Sequence, residues 1–125
     1  MKTIENIFLV DDDKIYLHVT NHTLKKTLPK VKVHSFLMAQ DALDQIEVVQ
    51  PDIIFLDLNM PLMDGWEFLE ALAKKDIATK INIFICSSSI DITDKERASA
   101  HPLIKSYIEK PLDASKIQKA IQEIT

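Results

Sequence analysis

Five short apolar runs rich in Ile, Val and Phe most constrain the fold of this 125-residue chain. Each run precedes a segment with the apolar spacing of a helix, and the runs begin near Ile7, Val31, Ile53, Ile81 and Ile104. Almost continuously apolar runs are typical of strands covered on both faces, whereas the alternating run at Val31 is typical of an edge strand. Five βα units with right-handed crossovers predict a doubly wound, five-stranded parallel α/β sheet.

Charged residues follow three of these runs at the points where the strands should end. Asp11 and Asp12 follow the first run, Asp57 follows the third and Lys110 follows the fifth. Doubly wound sheets bind ligands outside the carboxyl ends of their strands, at the topological switch point. In the flavodoxin-like order 2-1-3-4-5, strands one and three are neighbours, which brings the acids together. The sequence therefore predicts one acidic site with a single lysine.

The chemistry of such a site is that of a phosphoryl group and a hard cation. Close carboxylates repel by about 4 kcal/mol per pair at an effective dielectric of about 20, so they must bind a proton or a cation. Mg²⁺ prefers oxygen ligands and an open side for phosphate, whereas zinc prefers His or Cys, which are scarce here. Ser87 follows the fourth run and adds a hydroxyl beside Lys110. Asp57 is the carboxylate best placed to become an aspartyl phosphate.

Composition excludes several classes of protein. A formal net charge of -4 with scattered lysines argues against nucleic-acid binding, which requires clustered basic residues. The single cysteine, Cys86, lies in an apolar run and is expected in the core. The absence of a long apolar segment argues against membrane insertion. We expect one cytoplasmic domain over residues 1–125 that is a monomer and works through protein partners.

Three motifs in this order resemble the receiver domain of two-component response regulators. Val10-Asp11-Asp12 is similar to the acidic pair of that family, the stretch from Asp57 to Gly65 to its phosphoacceptor loop, and Lys110-Pro111 to its lysine and proline. The resemblance covers essentially the whole chain, and the chemotaxis response regulator is a stand-alone member with the 2-1-3-4-5 sheet. The family implies a phosphorylatable signalling switch rather than a turnover enzyme.

The resemblance also implies roles for the acidic edge, by which we mean Asp11, Asp12 and Asp57 at the carboxyl ends of the strands. Asp57 is then the phosphoacceptor, and its donor is a phosphohistidine of a sensor histidine kinase or of a histidine phosphotransfer protein. The ion is Mg²⁺, with Mn²⁺ as an alternative, and its ligands are Asp12, Asp57 and the main-chain carbonyl of Asn59, with Asp11 acting through water.

Three further residues receive roles from the resemblance. Lys110 and Ser87 contact the phosphoryl group, and Ser87 and Tyr107 carry the switch to a downstream protein target. Serine stands at position 87, where threonine is commoner in the family. For Tyr107, packing as an ordinary strand aromatic is an equally weighted alternative.

Two other functions remain open at this stage. A phosphatase or phosphotransferase with an aspartyl nucleophile, like the haloacid dehalogenases, needs a second aspartate two positions later, where Asn59 stands. A receiver-like interaction module that works without phosphorylation is the main alternative, although it would not require the full acidic set. A dinucleotide-binding protein is excluded because one glycine cannot form a G-x-G-x-x-G motif.

Local patterns predict several caps and turns. Asp13 and Asp113 are expected as helix caps, and the spacing of Asp64 and Glu67 and of Thr93 and Glu96 predicts two capping boxes. Gly65 is expected where the chain needs a positive φ or a close backbone approach. Ser88 and Ser89 are expected in a turn.

Overall fold

The computed structural model describes residues 3–88 and 91–125, so Ser89 lies outside the described residues. The strands are β1 (Asn6–Val10), β2 (Lys32–Phe36), β3 (Ile53–Leu56), β4 (Asn82–Ser87) and β5 (Ile104–Glu109). The helices are α1 (Lys14–Thr27), α2 (Ala39–Val49), α3 (Gly65–Ala73), α4 (Ile92–Ala100) and α5 (Ala114–Ile124), with a short 3-10 helix at Asp76–Lys80 before β4.

The five strands form one parallel sheet in the order β2-β1-β3-β4-β5, which confirms the predicted flavodoxin-like topology. β2 lies at one edge and is only partly buried, as its alternating sequence predicts. β3 is buried along its whole length because it has a strand on each side and helices on both faces.

Alternate residues of the central strands feed two separate hydrophobic cores. In β1, Phe8 and Val10 point into the core under α2 and α3, whereas Ile7 and Leu9 point into the core under α1 and α5. Cys86 is buried in the second core, as expected. The continuous apolar runs therefore reflect a sheet that buries both faces. Among the described residues, no helix is both long and apolar enough to cross a membrane.

Aspartate caps begin four of the helices. Asp13 caps α1, Asp113 caps α5, and Asp64 and Glu67 form the predicted capping box at α3. The capping box predicted at Thr93 is wrong. α4 begins two residues earlier, and its cap is Asp91, whose side chain accepts a 2.8 Å hydrogen bond from the Thr93 N–H. Thr93 is therefore inside the first turn, where its own N–H is a donor that needs capping.

Gly65 allows the chain to approach itself closely at the start of α3. Its φ is not positive, so the second of the two expected reasons for glycine applies. A Cβ at this position would lie 2.8 Å from the Asp57 carbonyl oxygen and 2.8 Å from the Leu58 Cα. The Gly65 N–H also donates a 3.0 Å hydrogen bond to the Leu58 carbonyl. Gly65 therefore holds the start of α3 against the backbone that carries Asp57.

We expect Gly65→Ala to destabilise the protein by about 1–3 kcal/mol, because the clash is with backbone that cannot rotate away. Intrinsic helix propensity alone predicts the opposite sign, a gain of up to about 1 kcal/mol. Urea unfolding followed by circular dichroism measures the difference. The matched control is Ala114→Gly, at the same position after an aspartate cap in α5, where alanine is exposed and tolerated. A Gly65→Ala variant that is more stable than the wild-type chain would contradict the steric account.

Candidate functional site

The pairing of β1 with β3 brings the two principal acids together. Val10 lies opposite Leu56 in the parallel register, so Asp11 and Asp57 each follow the last residue of neighbouring strands. The Asp57 N–H donates a 2.9 Å hydrogen bond to the Val10 carbonyl, and the Asp11 N–H donates one of 3.0 Å to the Phe36 carbonyl. These backbone hydrogen bonds extend the sheet by one residue and fix both carboxylates at its carboxyl edge.

Asp11, Asp12 and Asp57 form one acidic cluster, as the sequence predicts. One carboxylate oxygen from each lies within 4.8 Å of the others. Asp11 and Asp57 are 2% and 6% exposed, whereas Asp12 faces solvent. The cluster is therefore closed below by the sheet and open on the side of Asp12.

Lys110 reaches this cluster from β5. Its N–H donates a 2.9 Å hydrogen bond to the Ser87 carbonyl, which anchors the residue beside the end of β4. Its ammonium nitrogen lies 2.5 Å from Asp11 Oδ2 and 3.7 Å from Asp57 Oδ2. The lysine is thus paired tightly with Asp11 and leaves Asp57 less neutralised.

The electrostatics of the cluster are correspondingly unbalanced. Burial and the neighbouring charge of Asp11 raise the pKa of Asp57 to about 6, although Lys110 and the Asn59 N–H act in the opposite direction. Burial lowers the pKa of Lys110, but its hydrogen bond to Asp11 and the charge of Asp57 outweigh burial and raise it overall. Within the part of the chain that the structure describes, three acids therefore share one cation, Lys110, and a second cation is needed to neutralise the site.

The donor set fits a hard divalent ion. All three side chains offer carboxylate oxygens, the ligand type that Mg²⁺ prefers, and one oxygen of each lies within 4.8 Å of the others. The exposed Asp12 side leaves room for water or phosphate ligands. Asn59, whose main-chain carbonyl is the other predicted ligand, is two residues beyond Asp57, and its N–H donates a 3.3 Å hydrogen bond to Asp57 Oδ1.

The structure places the remaining predicted residues near the same end of the sheet. Ser87 is the buried last residue of β4, next to Lys110 across the strand pair. Tyr107 lies on β5 with its half-buried ring against the core under α3, and the Lys95 ammonium of α4 is 5.8 Å from its ring centroid. Tyr107 thus links the edge strand β5 to α4.

Two residues have contacts that sequence reasoning missed, one beside the acidic cluster and one at the opposite end of β3. The half-buried ring of Tyr16, in the first turn of α1, has the Lys110 ammonium 4.2 Å from its centroid. Only its position, three residues after the Asp13 cap, hints that it faces the strand ends. At the opposite end of β3, the buried Asp52 carboxylate accepts hydrogen bonds from the N–H groups of Glu5 and Asn6 and ties β1 to β3. No spacing pattern in the sequence indicates that Asp52 links the two strands.

In the ion-free protein, with EDTA present, we expect Asp57→Asn to be more stable than the wild-type chain at pH 7. The folded state raises the pKa of Asp57 to about 6, so charging it opposes folding, by up to about 3 kcal/mol at about 1.4 kcal/mol per pKa unit. The advantage should be absent below the unfolded pKa, near pH 4, and grow as pH rises through 6. Urea unfolding as a function of pH measures it. Asp44→Asn, an exposed change on α2, should shift stability by less than about 0.5 kcal/mol at every pH.

The chain is similar to known proteins over nearly its whole length. A family model described as the response regulator receiver domain matches residues 7–122. A response regulatory protein of Vibrio cholerae, itself described as uncharacterised, is 30% identical over 117 residues, which are 93% of this chain and 43% of that protein.

Solved structures show the same fold. A two-component response regulator from Cytophaga hutchinsonii has a TM-score of 0.88 at 25% identity, with 98% of each chain covered. The chemotaxis response regulator CheY4 of Vibrio cholerae has a TM-score of 0.83 at 23% identity, covering 98% of this chain and all of that one, which shows the fold alone.

The chain spans about half the length of the first curated relatives it matches. Receiver domains are signalling modules, and their longer relatives carry further domains. Because the family match runs from β1 into α5 and includes every strand that contributes to the acidic edge, this chain belongs to the response regulator receiver domain family of two-component systems.

Proposed function

We propose that Asp57 accepts a phosphoryl group from a phosphohistidine of a sensor histidine kinase or a histidine phosphotransfer protein, and that the added charge alters the surface bound by a downstream protein. The observation that carries the proposal is the placement of Asp57, which is 6% exposed, beside two other carboxylates and 3.7 Å from the Lys110 ammonium. A carboxylate, a cation and an open side therefore lie together, which supports the proposal.

In the transfer, an Asp57 carboxylate oxygen attacks phosphorus and forms a P–O bond. The P–N bond of the phosphohistidine breaks, its electron pair stays on the imidazole nitrogen, and that nitrogen takes a proton from water. Lys110 is within reach of the oxygens of the transferred group, so its positive charge stabilises the charge that develops there. Later hydrolysis of the acyl phosphate returns the carboxylate, and the domain acts as a switch.

A bound Mg²⁺, or Mn²⁺ in its place, would supply positive charge to the phosphoryl oxygens. Asp12, Asp57 and the main-chain carbonyl of Asn59 would hold it. The contacts of Asp11 support its action through water, because its Oδ1 accepts a 2.9 Å hydrogen bond from Asp13 and its Oδ2 pairs with Lys110.

Ser87 and Tyr107 would convert the new charge into a changed surface. A phosphoryl group on Asp57 lies beside the end of β4, where the Ser87 hydroxyl is a suitable donor to it. Tyr107 and Lys95 connect β5 with α4, so a small shift at the end of β4 has a short route to that surface. Such a local charge event biases two arrangements of the β4 to α5 region.

Exposed apolar side chains around the acidic edge suggest where the donor protein docks. Ile15 and Val19 lie one turn apart on α1 and are 78% and 57% exposed. Leu62, in the loop after Asp57, is 85% exposed and has a positive φ of 68°. We define these three residues as the rim patch. An apolar helix face on the donor would bury them while it presents phosphohistidine to the site.

The geometry favours phosphorylation over the other functions. An interaction module without phosphorylation does not need a buried aspartate whose charge opposes folding. A turnover phosphatase of the haloacid dehalogenase type needs an acid at position 59, and the Asn59 amide cannot transfer a proton.

Incubation with Mg²⁺ and acetyl phosphate should add one phosphoryl group to the chain, as seen by intact mass. The gain should be absent in Asp57→Asn and in EDTA, because the first lacks the nucleophile and the second lacks the ion. Asp44→Asn, which changes an exposed carboxylate of α2, should be phosphorylated like the wild-type chain. No gain in the wild-type chain, with either acetyl phosphate or phosphorylated histidine proteins, would leave the phosphorylation-independent module as the better account.

Val19→Ser should slow phosphoryl transfer from a purified phosphohistidine donor protein by about tenfold, since burial of an apolar side chain is worth about 1.5 kcal/mol or more. The rate with acetyl phosphate should stay within about twofold, because the small donor does not touch the rim patch. Val48→Ser is the control, since Val48 is 79% exposed but lies on α2 towards the amino end of β3. Equal rates for both variants with the donor protein would contradict docking at the rim patch.

A further inference from the structure

We propose that Tyr16 is a positioning residue for the phosphoryl transfer, which holds the Lys110 ammonium over its ring and aims it between Asp11 and Asp57. The inference rests on the proposed function. It concerns a residue on α1 that has no charge and no place among the acidic ligands.

The contact is short and well placed. The Lys110 nitrogen is 4.2 Å from the centroid of the Tyr16 ring, within the range of a cation–π interaction. The same nitrogen is 2.5 Å from Asp11 and 3.7 Å from Asp57. Among the described residues, two carboxylates and one aromatic face therefore lie around the ammonium, and only the aromatic face belongs to an element outside the strand ends.

The position of the ring is itself fixed by the start of α1. The Tyr16 N–H donates a 3.1 Å hydrogen bond to Asp13 Oδ1, the cap that ends the same acidic run as Asp11. The acidic run and the aromatic ring are therefore held by one turn of backbone. Any shift of α1 relative to β1 would move the ring away from Lys110.

The ring remains neutral, so it acts through its π face. Burial raises the pKa of the Tyr16 phenol far above its ordinary value. The Lys110 side chain is 15% exposed and has lost most of its water, and a desolvated ammonium gains more from an aromatic face than an exposed one does. By contrast, Lys95 is exposed and lies 5.8 Å from the Tyr107 centroid, a longer contact in open solvent.

A neutral aromatic ring at position 16 is better suited to positioning Lys110 than a third carboxylate would be. Lys110 must leave its resting pair with Asp11 far enough to serve the oxygens of the incoming phosphoryl group. A carboxylate at position 16 would compete with the phosphoryl group for the ammonium, whereas the ring restricts the flexible lysine without competing as an anion. Tyr16 would thereby keep Lys110 pre-oriented through the transfer.

The test compares Tyr16→Leu and Tyr16→Met, which remove the π face, with Tyr16→Phe, which keeps it. With Mg²⁺ and acetyl phosphate, an Asp57 oxygen attacks phosphorus, the bond between phosphorus and the acetyl oxygen breaks, and acetate leaves with the electron pair. The rate of mass gain should fall about 3- to 10-fold in the Leu and Met variants and stay within about twofold in Tyr16→Phe. In a Lys110→Gln background, Tyr16→Leu should cause no further loss.

A second measurement reports the contact without phosphorylation. Because the Lys110 nitrogen is 4.2 Å from the ring centroid, the adjoining ε-CH2 protons should show an upfield ring-current shift in NMR spectra, identified by its absence in Lys110→Gln. The shift should persist in Tyr16→Phe and vanish in Tyr16→Leu and Tyr16→Met, and thermal unfolding should show that each variant is folded.

The outcomes separate this inference from the proposed function. A wild-type chain that takes up no phosphoryl group defeats the proposed function, and with it a role in transfer, whatever the NMR spectra show. A phosphorylated wild-type chain with equal rates in all Tyr16 variants, with an equal loss in Tyr16→Phe, or without the ring-current shift overturns the positioning role of Tyr16 alone.

Discussion

The parallel pairing of β1 with β3 is the constraint on which the site depends. Its register places Val10 opposite Leu56, and the hydrogen bond from Asp57 N–H to the Val10 carbonyl fixes the next residue as well. Asp11 and Asp57 cannot move apart without the loss of sheet hydrogen bonds. The fold therefore holds like charges together, and Lys110 offsets part of their repulsion.

The compensation is partial, and the proposed phosphoryl transfer depends on this imbalance of charge. Burial and the charge of Asp11 raise the pKa of Asp57 to about 6, and Lys110, which lies closer to Asp11, offsets this only in part. A fully neutralised cluster would be more stable but would have little affinity for a cation or a phosphoryl group. Stability and the proposed function are opposed at Asp57, as is common where pKa values are strongly perturbed.

Local features such as helix caps were predicted correctly where the sequence offered one interpretation. They were predicted poorly where it offered two. The capping box at Asp64 is confirmed because Glu67 is the partner that its spacing requires. The one at Thr93 was wrong because Asp91, two residues earlier, captures the same backbone donors, and spacing alone does not rank two adjacent caps. Gly65 shows a related limit, since its sequence signal left a positive φ and a close approach equally open.

The sequence by itself determined the fold class, the approximate start of each strand and the acidic and basic residues at the strand ends. These are local properties, because apolar runs, helical spacing and charged residues at strand ends can be identified from neighbouring residues in the sequence. Only the tertiary structure decided the distances between those charges, the uneven pairing of Lys110, and the contact of Tyr16 with it. Such contacts join residues far apart in sequence, and their strength depends on burial and separation, which exist only once the sheet and its helices have packed.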